Sequence, residues 1–101
     1  MEPVKVGAKF KSGTFGRMTA LINPSENVNG AILRTGIFTG SNNGVVATGA
    51  TAPTGYHEKA VIGLLNPQPM SLQYPVMIPA GDGVWVYPNG TATTHITYDL
   101  L

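Results

Sequence analysis

Val4, Val6, Ala8 and Phe10 alternate with Lys5, Gly7, Lys9 and Lys11 at the start of the chain. A period of two is a strand signal. It predicts an apolar face of Val4, Val6, Ala8 and Phe10, with the three lysines on the opposite, solvated face. Lysines there would also discourage edge-to-edge pairing with other chains. Lys11-Ser12-Gly13-Thr14 is expected to break the strand. A second run, 17–22 (RMTALI), stops at Asn23-Pro24, because proline cannot donate to a strand ladder. A polar loop, 23–30 (NPSENVNG), leads to a third strand at 31–38 (AILRTGIF), expected to be mostly buried on both sides apart from Arg34. Residues 39–44 (TGSNNG) form the strongest turn, since Asn and Gly accept positive φ.

A short strand comes next at 45–48, then a loop at 49–56 (GATAPTGY) and a longer apolar run at 58–65 (EKAVIGLL), ended by Asn66-Pro67-Gln68-Pro69. Pro75 divides the next run into 71–74 and 76–78, which predicts an edge strand or a bent one. The turn 79–83 (PAGDG) precedes a compact strand of high β propensity at 84–87 (VWVY). Pro88-Asn89-Gly90 turns the chain into a final alternating run at 93–98 (TTHITY). Almost every window long enough for a helix contains Gly, Pro or Asn-Gly, so no helix is predicted. About eight short antiparallel strands imply an all-β chain, a β-sandwich of jelly-roll-like type. Strand order does not follow from this pattern.

Length sets the scale of that fold. A chain of 10.6 kDa folds to roughly 5,500 Å² of surface from about 15,000 Å² unfolded, which suffices for one core. Residues 1–101 are therefore expected to be a single domain. A hydrophobic fraction of 43% with a net charge of +1 excludes disorder by composition. The absence of Cys excludes a disulfide or zinc-thiolate scaffold. The apolar runs are too interrupted for a membrane-spanning helix, and the first residues lack the pattern of a signal peptide.

Charge is unevenly spread. Lys5, Lys9, Lys11, Arg17 and Arg34 against Glu2 and Glu26 give +3 over the first 34 residues, and Lys59 against Glu58, Asp82 and Asp99 gives −2 over the rest. No basic stripe suits nucleic acid, which is not expected as a partner. The asymmetry fits a solvated strand face, or a polar contact in which a basic end meets an acidic neighbour.

The chemistry-bearing residues do not assemble into a catalytic pattern. No serine sits in a Gly-x-Ser-x-Gly elbow. His57 and Glu58 are adjacent, and neighbours on a strand point to opposite faces. Two histidines and scattered acids have no metal-ligand spacing, so no metal or other cofactor is expected. His57 and His95 read as strand-end or surface histidines. Glu58 and Asp82 could in principle flank a sugar, but nothing singles them out. Gly81-Asp82-Gly83 is followed by a strand rather than a helix, so it is a turn and not a phosphate cradle.

Trp85 and Tyr87 share one face of their strand, and Val84 and Val86 on the other face are equally apolar. Both faces therefore want burial. A chain this small has few places to provide it, so a subunit interface is the economical explanation, and an exposed stacking platform for a glycan is the other.

Two segments resemble small β-sandwich structural proteins of tailed bacteriophages. The first is Leu21-Ile22-Asn23-Pro24, a polar loop and a strand. The second is Ile78-Pro79-Ala80-Gly81-Asp82-Gly83-Val84-Trp85-Val86, a short turn, then Thr91-Ala92-Thr93-Thr94 with Ile96. Together the resemblance covers about half the chain, at 18–38 and 78–98. It implies a non-enzymatic virion component, commonly a homotrimer, that serves as a capsid decoration (cement) protein or as a fibre-type module. The chain lacks the collagen-like or coiled-coil shaft of a fibre, so a decoration protein is the expectation. It would be made in the host cytoplasm and bound to the major capsid protein or another virion protein on the capsid surface, with no membrane partner. The alternatives are a tail, fibre or baseplate adhesin for host-surface glycans, and a free carbohydrate-binding module. On the decoration reading Lys5, Lys9 and Lys11 would face the capsid, and Trp85 and Tyr87 the neighbouring subunit or a glycan.

Overall fold

The computed structural model describes residues 3 and 5–101. Nine strands form: β1 (Lys9–Phe15), β2 (Thr19–Ile22), β3 (Ala31–Gly40), β4 (Gly44–Gly49), β5 (Ala60–Leu65), β6 (Met70–Ser71), β7 (Val76–Ile78), β8 (Gly83–Tyr87) and β9 (Ala92–Leu100). There is no helix among the described residues, and hence none long and apolar enough to cross a membrane. The fold is all-β, as the turn spacing predicts.

The pairing is that of one long hairpin rolled up. At its tip β4 pairs with β5. Behind the tip β3 pairs with β6 and β7, then β2 with β8, and at the open end β1 with β9. Rolling adds two further antiparallel ladders, β3 with β9 and β4 with β8. The result is two facing sheets, β1-β9-β3-β6 with β7 also on β3, and β2-β8-β4-β5. This winding is jelly-roll-like. β6 and β7 are one strand interrupted. Both lie along the same neighbour, at Ile37 and Phe38 and then at Ala31 to Leu33, with Pro75 in the gap. Proline has no N–H for the ladder there.

The core lies between the sheets. Leu33, Phe38 and Ile96 from the first sheet meet Ile22, Val46, Leu65, Val84 and Val86 from the second. Phe38 is fully buried, and two glycines make room for its ring. A Cβ at Gly63 would lie 2.8 Å from the ring, and one at Gly36 2.7 Å from it. In β2 a register shift between Ala20 and Ile22 lets consecutive Leu21 and Ile22 both be buried, the usual effect of an extra residue in one strand.

The loop 23–30 is polar in sequence yet fixed in place by a buried residue. The Asn27 amide nitrogen donates to the carbonyls of Pro79 and Asp82, both at 2.8 Å, while the Asn27 backbone carbonyl accepts from Gly81 N–H at 2.7 Å. Asn27 thus staples the 23–30 loop to the 79–83 turn.

Three expectations need correction. The first strand is displaced along the chain: the described residues 5–8 are not strand, and β1 runs from Lys9 past Lys11 to Phe15. β3 is not buried on both sides: Ile37 is 48% exposed and Ile32 half-buried. The outer surface of that sheet is instead a threonine ladder, Thr14 with Thr93 at 3.0 Å and Thr35 with Thr97 at 2.7 Å, which water can cover. The turn after β3 uses no positive φ. Among the described residues positive φ occurs at Gly30, Gly81 and Gly90. Residues 41–43 carry the chain from one sheet to the other and close no two-residue hairpin, so the mirror-image turn geometry is not needed.

Candidate functional site

The lysine-bearing strand comes first, because its geometry reverses the sequence expectation. β1 lies opposite β9 with Phe15 at Ala92, Lys11 at Ile96, Phe10 at Thr97 and Lys9 at Tyr98. Opposed residues in an antiparallel pair share a face. Phe15 packs against the core, so Gly13, Lys11 and Lys9 stand on the core-facing side, and Phe10 stands outside. Phe10 is 73% exposed and Val6 63%. Phe15 is the anchor of the register, and the parity fixed at that end turns Lys9, Phe10 and Lys11 over relative to the expectation. Lys9 and Lys11 remain exposed at the sheet margin. No described strand pairs with the other side of β1. Val4 lies outside the described residues.

The segment before β1 is tied down by side chains rather than by a ladder. Gly7 N–H donates to Thr97 Oγ1 at 3.0 Å and Ala8 N–H to Asp99 Oδ1 at 2.7 Å. The other Asp99 oxygen accepts from Arg34 Nε at 2.9 Å. The Ala8 amide, the Arg34 guanidinium and the charge of Lys5 hold the Asp99 carboxyl below the usual carboxylate range.

Trp85 and Tyr87 point outward from β8, since Val84 and Val86 between them are fully buried in the core. The chain covers them with its own β4–β5 loop. Trp85 Nε1 donates to the Gly49 carbonyl at 3.1 Å, and the Tyr87 hydroxyl to the Thr54 carbonyl at 3.4 Å. The Tyr56 ring meets Tyr87 edge-on, 4.9 Å between centroids. Pro53, Val45 and Ala47 are buried in the same layer. Part of the cover expected from a second subunit is therefore intramolecular, and both rings stay half-buried.

The remaining candidates do not converge. His57 is exposed in the β4–β5 loop, and His95 is exposed on β9 beside Ser12 and Ile37. Glu58 accepts from Thr54 N–H and lies 3.4 Å from Lys59 Nζ. Asp82 belongs to the 79–83 turn, its N–H bonded to the Pro79 carbonyl. Among the described residues no three His, Cys, Asp or Glu side chains are grouped to hold a metal ion. Tyr98 is buried, and that burial, with the charge of Glu26, raises its hydroxyl pKa.

One concave feature was not legible in the sequence. A cavity of about 450 Å³ opens where the turn after β3, the end of β5, the β8–β9 turn and the tip of the β4–β5 loop meet. Asn43, Asn66 and Asn89 stand around it, Tyr56 forms a wall, and Val45 and Leu64, opposite each other across β4 and β5, form an apolar floor. Each asparagine was visible in the sequence as a turn residue. That three separate turns end at one place is a property of the winding. Comparison with protein-family models, with curated proteins and with solved structures finds no match to this chain.

Proposed function

We propose that the protein is a non-enzymatic structural component of a tailed-phage virion, a decoration protein that binds the major capsid protein and stabilises the lattice. The observation that carries this reading is the free edge of β1. Over seven residues it has no partner strand on its outer side among the described residues, with an exposed Phe10 on one face and exposed Lys9 and Lys11 on the other. An extended segment of a partner can add to such an edge, with the backbone giving affinity and the alternating side chains giving selectivity. The lysines select an acidic partner and make the contact salt-sensitive. The phage-like segments support the same reading, as they supply β2, β8 and most of β3 and β9, three of the four inner strands together with the edge strand β2. Stabilisation follows from mass action: a ligand that binds only the assembled lattice shifts the equilibrium towards it. Trimerisation, which the resemblance implies, would multiply the effect through avidity.

The test is stoichiometry and salt dependence. In purified particles, quantitative mass spectrometry is expected to find about one copy per capsid subunit. Lys9→Glu with Lys11→Glu is expected to lower occupancy about tenfold or more in low salt. Unchanged occupancy of the variant would remove the β1 edge as the contact. A second reading, an adhesin for surface glycans, is favoured by the cavity beside Tyr56. A few to a few dozen copies per particle would favour it, and absence from particles would sink both virion readings.

A further inference from the structure

We propose that the cavity beside Tyr56 is a binding site for a neutral pyranose, an inference that deepens the glycan reading above and is independent of the decoration reading. Its volume of about 450 Å³ lies within the range of small-molecule sites, which combine an apolar surface with a few converging polar groups. A sugar ring needs the same combination: a flat patch of C–H groups to lie against an aromatic or aliphatic wall, and neutral donors and acceptors for its hydroxyls.

The wall and floor are Tyr56, Val45 and Leu64. Tyr56 is 37% exposed and Leu64 48%, so both present apolar surface to the opening. The Tyr56 ring does not swing freely, because its contact with Tyr87 at 90° holds its plane. A ring already fixed loses little entropy when a ligand stacks on it. The polar groups are the amides of Asn43, Asn66 and Asn89. Each side-chain amide supplies two donors and a carbonyl acceptor, the pattern that vicinal hydroxyls match. Asn66 is itself positioned: its backbone carbonyl accepts from Gly40 N–H at 2.9 Å and Thr39 Oγ1 at 3.0 Å, and its Oδ1 from Gln68 N–H at 3.2 Å. That arrangement leaves the Asn66 amide N–H groups for a ligand.

Charge sets the class. No Lys, Arg, Asp or Glu lines the cavity, and its one basic lining residue is the exposed His57, so the cavity holds no permanent charge to neutralise a sulfate, a phosphate or a uronic acid. Nor is it an apolar groove for a peptide side chain, since three amides would be buried without partners, at a cost of about 1–3 kcal/mol each. The site is distinct from the exposed Trp85–Tyr87 platform that the sequence suggests, because the β4–β5 loop lies over those two rings and the opening lies at its margin.

The experiment is a 15N-HSQC titration of the isolated protein with the methyl glycosides of glucose, galactose, mannose and N-acetylglucosamine, with glucuronate as the charged control. At least one neutral glycoside is expected to shift the side-chain amide signals of Asn43, Asn66 and Asn89 and to saturate with Kd of about 0.1–10 mM, while glucuronate shifts none of them. Tyr56→Ala is expected to weaken that binding about tenfold, and Tyr56→Phe to retain it. Asn43→Ala, in an exposed turn, is expected to weaken it several-fold and covers the case in which Tyr56→Ala does not fold. No shift from any neutral glycoside at 50 mM, shifts centred elsewhere, or full affinity in the folded Tyr56→Ala or Asn43→Ala protein would each overturn the proposal. None of those failures bears on the capsid reading, since no particle is used.

Discussion

On one side of the sandwich, Trp85 and Tyr87 lie under the chain's own loop, while on the other, Phe10, His95 and Ile37 face water. The two sheets are similar in size, and both carry apolar residues on their outer surfaces. The difference lies in the connections between strands. After β4 the chain runs through Pro53 and Tyr56 before returning as β5, long enough to fold back over Ala47, Val45 and the two aromatic rings. No comparable loop extends from β9 or β3, and their outer positions are His95, Ile37 and the threonines Thr93, Thr97, Thr35 and Thr39. The threonines bond to one another or to backbone and tolerate exposure. Cover in this protein is therefore a property of loops. Where no loop is available the outer positions mix threonines with exposed apolar residues, Ile37 on β3 and Phe10 on β1.

Two phenylalanines give the largest contrast. Phe38→Ala empties the space between the sheets and is expected to cost about 3–5 kcal/mol in denaturant unfolding. A cost below about 1 kcal/mol would mean that the sheets close over the gap. Next is Asn27→Ala, which leaves two loop carbonyls without their donor and is expected to cost about 2–3 kcal/mol. The change should be largest in hydrogen exchange at Gly81, whose N–H bonds to the Asn27 backbone carbonyl. Trp85→Ala is expected to cost about 2 kcal/mol, since the ring is only half-buried. If the loop is its true cover, protection of the β4–β5 loop should fall while the oligomeric state stays unchanged. Dissociation of an oligomer instead would return Trp85 to a subunit interface.

The smaller effects concern the open side. Asp99 has a depressed pKa, so its hold on the Ala8 amide is complete above the unfolded-state value and is lost as pH falls through the folded one. The Ala8 amide signal is expected to titrate at that depressed value, and Asp99→Asn should abolish the step. Phe10→Ala is expected to change stability by less than about 0.5 kcal/mol, because the ring is already in water. The same substitution should weaken particle binding, and a variant that binds particles normally would separate Phe10 from the contact.

Most of the fold was legible because it is written in local signals. Pro24, Pro75 and the glycines at 30, 81 and 90 end or interrupt strands by removing a donor or by permitting positive φ, and neither effect depends on the rest of the chain. The alternation of Thr94, Ile96 and Tyr98 against Thr93, His95 and Thr97 likewise marks a strand, and the structure buries the first set. What local signals left open was which end of a strand governs its register. The lysine run suggested one parity for the first strand, and Phe15, four residues beyond Lys11, imposed the other.

The sequence by itself determined an all-β chain and most of its turn positions, because proline, glycine and period-two alternation act over a few residues. Only the tertiary structure decided that Phe10 lies outside, that a loop shelters Trp85 and Tyr87, and that Asn43, Asn66 and Asn89 surround one cavity. Those outcomes depend on which distant strands pair, and a pairing between residues 9 and 98 or 45 and 87 leaves no mark on the neighbours of either.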